Sequence, residues 1–109
     1  MKLLQCIVQP EKSEDVIRKL MTIVGGMTVY EVQGHGRQRG HSLKYRGIEY
    51  EVTLLPKAMI EIVTEDNKVN DVVKAVFETA RTGQIGDGRI FIIPVEENYH
   101  IRTGFMDRD

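Results

Sequence analysis

Two strand-helix-strand patterns, one in each half of the 109-residue chain, constrain the fold more than any other feature. In the first half, the near-alternating apolar residues 3–8 predict a strand that ends at Pro10. Residues 11–24 follow with an acidic, Ser-containing lead and apolar positions at helical spacing, and two glycines end this predicted helix. Residues 27–33 are rich in β-branched and aromatic side chains and predict a second strand.

The second half repeats the order. Residues 57–63 predict a third strand, and Glu65, Asp66 and Asn67 supply capping groups for the clearest helix of the chain. The apolar residues of that helix recur at one helical face: they are Val69, Val72, Val73, Val76, Phe77 and Ala80. Residues 90–93 form a continuous apolar run, which is typical of a strand buried on both faces.

This order predicts an α+β fold, the ferredoxin-like βαββαβ sandwich with a long loop between strands 2 and 3. A chain of this length suits one domain with a single core. Two helices cover one face of a four-stranded antiparallel sheet and leave the other face without a cover. Apolar residues of both parities in the third strand, such as Ile60 and Val63, favour oligomerisation through that second face.

Composition argues against several classes of function. A net charge of −1 argues against bulk attraction to nucleic acid or to an anionic membrane. The single cysteine, Cys6, makes no internal disulfide and indicates a reducing, cytoplasmic compartment. Because no apolar run approaches the roughly 20 residues of a membrane span, we expect no membrane insertion.

Two glycine-rich basic loops, residues 34–57 and 81–89, are the strongest candidates for a binding site. Glycine lets backbone N–H groups approach a phosphate closely, and arginine supplies planar charge. The first loop matches neither a dinucleotide fingerprint nor a P-loop. Either loop alone is best interpreted as an ordinary connection, but both together with Arg102 indicate a phosphate or nucleotide site.

Other polar residues leave alternatives open. Glu61 lies inside a strand, so its carboxylate must face solvent or hold a partner. Tyr45 and Tyr50 either fix the first loop to the body or serve as contact or modification points. The three histidines do not show metal spacing, and no nucleophile lies beside a base in the sequence.

Motifs in a fixed order and spacing extend along the chain: residues 32–40 (VQGHGRQRG), 45–50 (YRGIEY), 55–57 (LPK), 82–91 (TGQIGDGRIF) and 101–104 (IRTG). In this combination the sequence resembles the nitrogen-regulatory PII signal transduction family over essentially its whole length. The resemblance implies a homotrimer of ferredoxin-like subunits with nucleotide sites in the clefts between subunits.

The resemblance also implies a division of the chain and a set of ligands. Residues 1–109 would form a single PII-like domain, with a T-loop at about 36–54, a B-loop at about 82–89 and a C-terminal loop at about 95–109. ATP or ADP, Mg²⁺ and 2-oxoglutarate would be the effector ligands.

Individual site residues follow from the same resemblance. The residues implied to bind nucleotide are Ile7, Thr28, Gly36, Arg37, Gln38, Glu61, Val63, Gly86, Asp87, Gly88, Arg89, His100 and Arg102. Those implied to bind 2-oxoglutarate are Gly36, Gln38, Arg39 and Lys57. Gln38 would complete the coordination of Mg²⁺, and Tyr50 matches a tyrosine that some bacterial relatives uridylylate.

Four positions depart from the usual pattern of the family. His100 stands where an arginine is usual, and Arg89, Gln9 and Gln84 stand at positions often occupied by lysine. An imidazole changes charge near neutral pH, so His100 makes pH-sensitive phosphate binding an expectation. The two glutamines put 2-oxoglutarate binding in question.

The resemblance therefore predicts a non-catalytic sensor of nitrogen, carbon and energy status. Its T-loop would regulate an ammonium transporter or an enzyme of nitrogen metabolism. Two alternatives stand beside this prediction: a PII-like sensor of adenine nucleotides without 2-oxoglutarate, and a slow ATP-hydrolysing enzyme.

Overall fold

The computed structural model describes residues 1–35, 42–45, 48–51 and 54–107. A 3₁₀ turn, Pro10–Lys12 or Asp66–Lys68, precedes each helix. The elements in chain order are β1 (Lys2–Val8), α1 (Ser13–Leu20), β2 (Thr28–Gly34), β3 (Ser42–Tyr45), β4 (Ile48–Glu51), β5 (Leu55–Thr64), α2 (Val69–Ala80) and β6 (Gly88–Pro94).

Four of the strands form one antiparallel sheet in the order β2-β5-β1-β6. The two central strands are the first strands of the two halves, β1 and β5, so each half contributes one central strand and one edge strand. With two helices on one face, this confirms the predicted α+β ferredoxin-like arrangement.

The hydrophobic core lies between the sheet and the helices. Leu4, Cys6 and Ile60 point from the sheet into it and are fully buried. They meet Leu20 of α1 and Val72 of α2, which are buried as well. Cys6 is thus a buried thiol, and burial raises its pKa to about 11.

Two predictions about helix ends are wrong. The first helix ends at Leu20, before the glycines, and Val24 reaches the core through a turn in which its N–H donates to Leu20 O at 3.0 Å. Asp66 does not cap α2, because no side-chain cap bond forms there. Its carboxylate lies 2.7 Å from the ammonium of Met1 instead, and the hydrogen bond to that ammonium lowers the pKa of Asp66.

Two predictions of burial are wrong as well. Phe77 falls on the flank of α2 and is exposed, whereas Ala75 takes a core position. The run of residues 90–93 is not buried on both faces, because β6 is an edge strand of the sheet. Phe91, Ile92 and Ile93 are exposed in the single chain.

The third strand begins earlier than predicted and contains Pro56. The proline pairs with Gln33 of β2, two residues beyond the end of the pairing between β5 and β1. At that point β5 has a strand on one side only, which is where a sheet tolerates a residue without an N–H.

The first glycine-rich loop is not a structureless connection. Within it, β3 and β4 pair as an antiparallel hairpin, with Ser42 opposite Glu51 and Tyr45 opposite Ile48. Residues 36–41, 46–47 and 52–53 lie outside the described residues.

Candidate functional site

The face of the sheet away from the helices, here called the open face, carries most of the described residues that the sequence assigned to a site. Its members share a face because directly opposed residues of antiparallel strands point the same way. The register aligns Thr28 with Glu61, and Ile7 with Met59 and Arg89. The remaining residues of the open face follow at every second position along each strand.

A cavity of about 630 Å³ lies at the end of the open face where β1 stops and the second glycine-rich loop begins. Its lining joins β1, β2, β5 and that loop. The lining residues are Ile7, Gly34, His35, Leu55, Lys57, Gln84, Ile85, Gly86, Asp87, Gly88 and Arg89. Six of these were predicted site residues: Ile7, Lys57, Gly86, Asp87, Gly88 and Arg89.

The loop of residues 82–89 takes its shape from one carboxylate. Asp87 accepts hydrogen bonds from the N–H groups of Thr82 at 2.7 Å and Gly83 at 2.8 Å, and from the Thr82 hydroxyl. These bonds, the hydroxyl of Thr82 first, lower the pKa of Asp87. Asp87 therefore organises the loop through its side chain, and what it offers a ligand is its backbone.

Glycines with left-handed backbone let this loop bend and approach β1. Gly83, Gly86 and Gly88 have φ values of 86°, 102° and 117°. A Cβ on Gly88 would lie 1.8 Å from the carbonyl oxygen of Ile7, so the backbone of the loop rests directly on β1. Only glycine permits this contact at an unstrained φ.

Lys57 connects the floor of the cavity to the loop. Although it is a lysine, only 9% of it is exposed. Its Nζ donates to Gln9 Oε1 at 3.0 Å and to the carbonyl oxygen of Gly86 at 3.1 Å. Gly34 lies over its aliphatic stem, where an added Cβ would be 3.3 Å from Cγ. A buried ammonium held by neutral oxygens is a preformed partner for an anion.

Glu61 has protein partners on the open face, which answers the question that its position in a strand raised. Gln5 Nε2 donates to Glu61 Oε2 at 2.9 Å, and the Tyr30 side chain lies near the same carboxylate. Partial burial and the neighbouring Glu61 carboxylate raise the pKa of Tyr30. Glu61, Thr28 and Val63 lie on the open face but do not line the cavity.

The C-terminal segment carries two further predicted residues, His100 and Arg102. An isolated bridge between Tyr99 and Met106 closes the segment into a short hairpin with exposed side chains. His100 Nε2 lies 3.4 Å from Asp107 Oδ2. Neither His100 nor Arg102 lines the cavity within the single chain.

Several predictions fall on residues about which the structure says little or nothing. Gly36, Arg37, Gln38 and Arg39 lie outside the described residues, and with them the predicted Mg²⁺ coordination. Tyr50 is described in its backbone alone, as the residue of β4 opposite Leu43.

Sequence reasoning missed three contributions to this region. Leu55 and Ile85 line the cavity with apolar surface, and Asp107 pairs with His100. Gln9 had been noted only as a departure from the family pattern, yet its side chain contacts the buried Lys57. The spacing of these residues along the chain holds no signal for such long-range contacts.

The residues present fit a phosphate-bearing ligand. A glycine-rich loop can present backbone N–H groups to an anion, and Lys57 and Arg89 line the same cavity. The volume lies within the range of small-molecule sites, which is roughly 300–1,000 Å³. Apolar Ile7, Leu55 and Ile85 add surface suited to a ring or an aliphatic stem.

Among the described residues, no group of three or more His, Cys, Asp or Glu side chains is placed to hold a metal ion. None of the described helices is long and apolar enough to cross a membrane.

Comparisons with known proteins identify the same family over nearly the whole chain. A family model described as Nitrogen regulatory protein P-II matches residues 1–105. The Nitrogen regulatory protein P-II of Pasteurella multocida (strain Pm70) is 48% identical over 110 aligned positions, which cover 100% of this chain and 98% of that protein. The proteins of the same name from Microchaete diplosiphon and Azospirillum brasilense are 50% and 48% identical over 105 positions, covering 95% of this chain and 94% of each relative.

Proposed function

Because this chain belongs to the nitrogen regulatory protein P-II family and is thus a signalling regulator, we propose that it senses adenine nucleotide and 2-oxoglutarate and passes their state to a partner protein. The observation that carries the proposal is the cavity in which the loop of residues 82–89 faces the buried Lys57. One wall supplies backbone N–H groups for phosphates, and the floor supplies a fixed ammonium.

In this proposal the phosphates of ATP or ADP bind along residues 86–89, with Arg37, His100 and Arg102 adding charge. The base and ribose lie on the open face near Ile7, Thr28, Glu61 and Val63. The hydrogen bond that Gln5 makes to Glu61 supports this placement, because it fixes an acceptor where a ribose hydroxyl or an amino group needs one.

The second ligand, 2-oxoglutarate, would place a carboxylate on Lys57, with Gly36, Gln38 and Arg39 beside it and Gln38 coordinating Mg²⁺ of bound ATP. The carboxylate must displace or share the contacts that Lys57 makes to Gln9 and Gly86. An ammonium bears donors alone, so it is chemically suited to a carboxylate. Because Gly86 belongs to the loop that would hold the nucleotide, the two ligands would be coupled through Lys57.

A homotrimer accounts for the surface that the single chain leaves exposed. Tyr30, Val63, Phe91 and Ile93 lie on the open face and are 39–48% exposed. Such a cluster of apolar side chains is typical of an interface. Association through this face would also bring the C-terminal segment of one subunit near the cavity of another, which the positions of His100 and Arg102 require.

The output of the sensor would be the first loop, which contains the β3–β4 hairpin. A ligand-dependent conformation at its base would change how the hairpin meets an ammonium transporter or an enzyme of nitrogen metabolism. Tyr50 lies within the hairpin and is the candidate for covalent modification. We propose no catalytic turnover and no nucleic-acid partner for the protein.

The test is a calorimetric titration of 2-oxoglutarate with and without Mg·ATP. We expect binding that requires Mg·ATP, loss of that binding in Gln38→Ala with ADP binding retained, and the same loss in Lys57→Met. Lys74→Met is the matched control, since Lys74 is an exposed lysine of α2. Unchanged 2-oxoglutarate affinity in Gln38→Ala or Lys57→Met would overturn the proposed site.

One observation favours a second candidate function, a sensor of adenine nucleotides that does not bind 2-oxoglutarate. Gln9 brings a neutral amide to Lys57, where a second cation would strengthen carboxylate binding. The same titration separates the two functions: nucleotide binding without any heat from 2-oxoglutarate selects the second. An ATP turnover rate well above the spontaneous background would contradict both.

A further inference from the structure

The hairpin formed by residues 98–107 holds a contact that the proposed function does not use. The Asp107 N–H donates to Asn98 O at 2.7 Å, and the His100 N–H donates to Phe105 O at 3.0 Å. Gly104 N–H closes the turn by donating to His100 O at 2.8 Å. This backbone pairing brings the side chains of His100 and Asp107 together, with Nε2 and Oδ2 3.4 Å apart.

The carboxylate of Asp107 and a nucleotide phosphate are chemical competitors for the same imidazole. Both are oxyanions that accept a charge-assisted hydrogen bond from protonated histidine. We propose that Asp107 is a positioning residue that occupies His100 until the phosphates of a nucleotide displace it. This inference rests on the proposed function, because it assumes that His100 contacts those phosphates.

The surroundings single out Asp107 as the competitor. On the same segment, the Glu97 carboxylate accepts a hydrogen bond from the Tyr99 hydroxyl at 2.9 Å. Arg102 is a cation, so it would bind the phosphates and not compete with them. Asp107 also lines a polar cavity with the Met1 end of the chain, Glu65 and Lys68.

The charges across that cavity are already paired. The Met1 ammonium contacts Asp66 at 2.7 Å, and Lys68 lies 3.7 Å from Glu65. Among the described ion pairs, the one that involves His100 is with Asp107.

The competition depends on pH, since a neutral imidazole forms no ion pair with either oxyanion. Imidazole side chains change charge between about pH 5 and pH 8. When the imidazole is charged, Asp107 opposes the phosphates. When it is neutral, both ion pairs vanish, and Asp107 no longer affects affinity through His100.

The experiment is a calorimetric titration with ADP at about pH 6 and about pH 8.5 on the full chain. The four proteins of a double-mutant cycle are used: wild type, Asp107→Asn, His100→Gln and the double variant. Glu97→Gln is the matched control, since it removes a carboxylate from the residue next to this hairpin without touching His100. Asparagine retains the shape of Asp107, and the backbone bond to Asn98 does not involve the side chain.

We expect Asp107→Asn to tighten ADP binding about two- to fivefold at the lower pH, the scale of an exposed ion pair. The gain should vanish at the higher pH and in the His100→Gln background, and Glu97→Gln should show none. No gain at the lower pH, or an equal gain without His100, overturns the inference while leaving the proposed function intact. Failure of the wild type to bind ADP at either pH overturns both.

Discussion

The two faces of the four-stranded sheet are made from alternate residues of the same strands, yet they serve different ends. In β5, Ile60 and Ile62 point toward the helices and are at most 1% exposed, whereas Val63 on the open face is 48% exposed. The covered face excludes water and contributes most of the stability of the single chain. The open face carries Lys57 and Glu61 and ends beside the loop of residues 82–89.

This difference indicates which face of so small a domain has room for a binding site. The helix-covered face needs close packing and tolerates few changes. The open face contributes less to the stability of the chain and so has room for polar contacts, such as those around Glu61 and Lys57. Substitutions on the covered face should therefore change mainly the stability of the chain. Substitutions on the open face should change mainly its binding.

The largest expected effect comes from the covered face. Ile60→Ala should lower the free energy of unfolding by about 2–5 kcal/mol, because it leaves a cavity in a fully buried position. Ile93→Ala is the matched substitution on the open face, where the side chain is 39% exposed. It should weaken self-association, measured by sedimentation, more than it lowers the unfolding midpoint in urea at low protein concentration. Equal losses of stability in the two variants would contradict the division.

The next largest effect is expected at the junction between the loop of residues 82–89 and β1. Gly88→Ala places a Cβ against the carbonyl of Ile7 and should displace the loop. Its left-handed backbone alone costs about 1–3 kcal/mol for a non-glycine residue. Gly83→Ala meets the same backbone penalty with no atom within 4 Å of the added Cβ. Hydrogen exchange of residues 82–89 should rise, and ADP binding fall, far more in Gly88→Ala. The same exchange profile in both variants would show that the loop does not rest on β1.

A pH effect should follow from Asp87, whose hydrogen bonds to Thr82 and Gly83 lower its pKa. A lowered pKa in the folded chain means that the contribution is present above the ordinary pKa of aspartate, about 3.9. It is lost as pH falls through the lowered folded value. Asp87→Asn should therefore loosen the loop at neutral pH and remove this acid-dependent step, followed by hydrogen exchange. Asp71→Asn, a change in the first turn of α2, is the control and should retain the step.

The smallest effect is expected from the Tyr30 hydroxyl, which lies near the Glu61 carboxylate. Tyr30→Phe removes this hydroxyl and should weaken ADP binding about two- to tenfold, the scale of one lost polar contact. Tyr99→Phe is the matched control, because its hydroxyl donates to Glu97 in the C-terminal hairpin. Calorimetry on the two variants compares a tyrosine of the open face with one outside it. A larger loss in Tyr99→Phe would place the nucleotide elsewhere.

Much of the fold follows from local pattern, and the exceptions have physical reasons. The strands and helices were predictable because apolar spacing reports which side of an element is buried. Phe77 fits the same spacing but lies at the flank of the helix, so the pattern misplaced it. The run of residues 90–93 resembles an interior strand, yet pairing places it at the sheet edge. Asp66 is a residue type that often caps helices, but its carboxylate contacts the Met1 ammonium, which is a stronger partner than a backbone N–H.

The candidate site, like the fold, was predictable from the sequence only in part. Motif resemblance named Ile7, Lys57 and the loop residues Gly86 to Arg89, and the structure brings these residues together around one cavity. Neither resemblance nor spacing indicated that Gln9 contacts Lys57 or that Asp107 contacts His100. The first contact depends on where distant parts of the chain meet and the second on how the C-terminal hairpin closes, and no local periodicity records either.

The sequence by itself determined the family, the α+β class and the two glycine-rich loops, because each of these depends on short-range order along the chain. Tertiary structure decided which strands are central, which face of the sheet stays open, and that Lys57 is buried between Gln9 and Gly86. The reason is that strand pairing and side-chain burial join residues far apart in the chain. Lys57 and Gly86 are 29 positions apart and meet only once β1, β5 and the second loop have assembled.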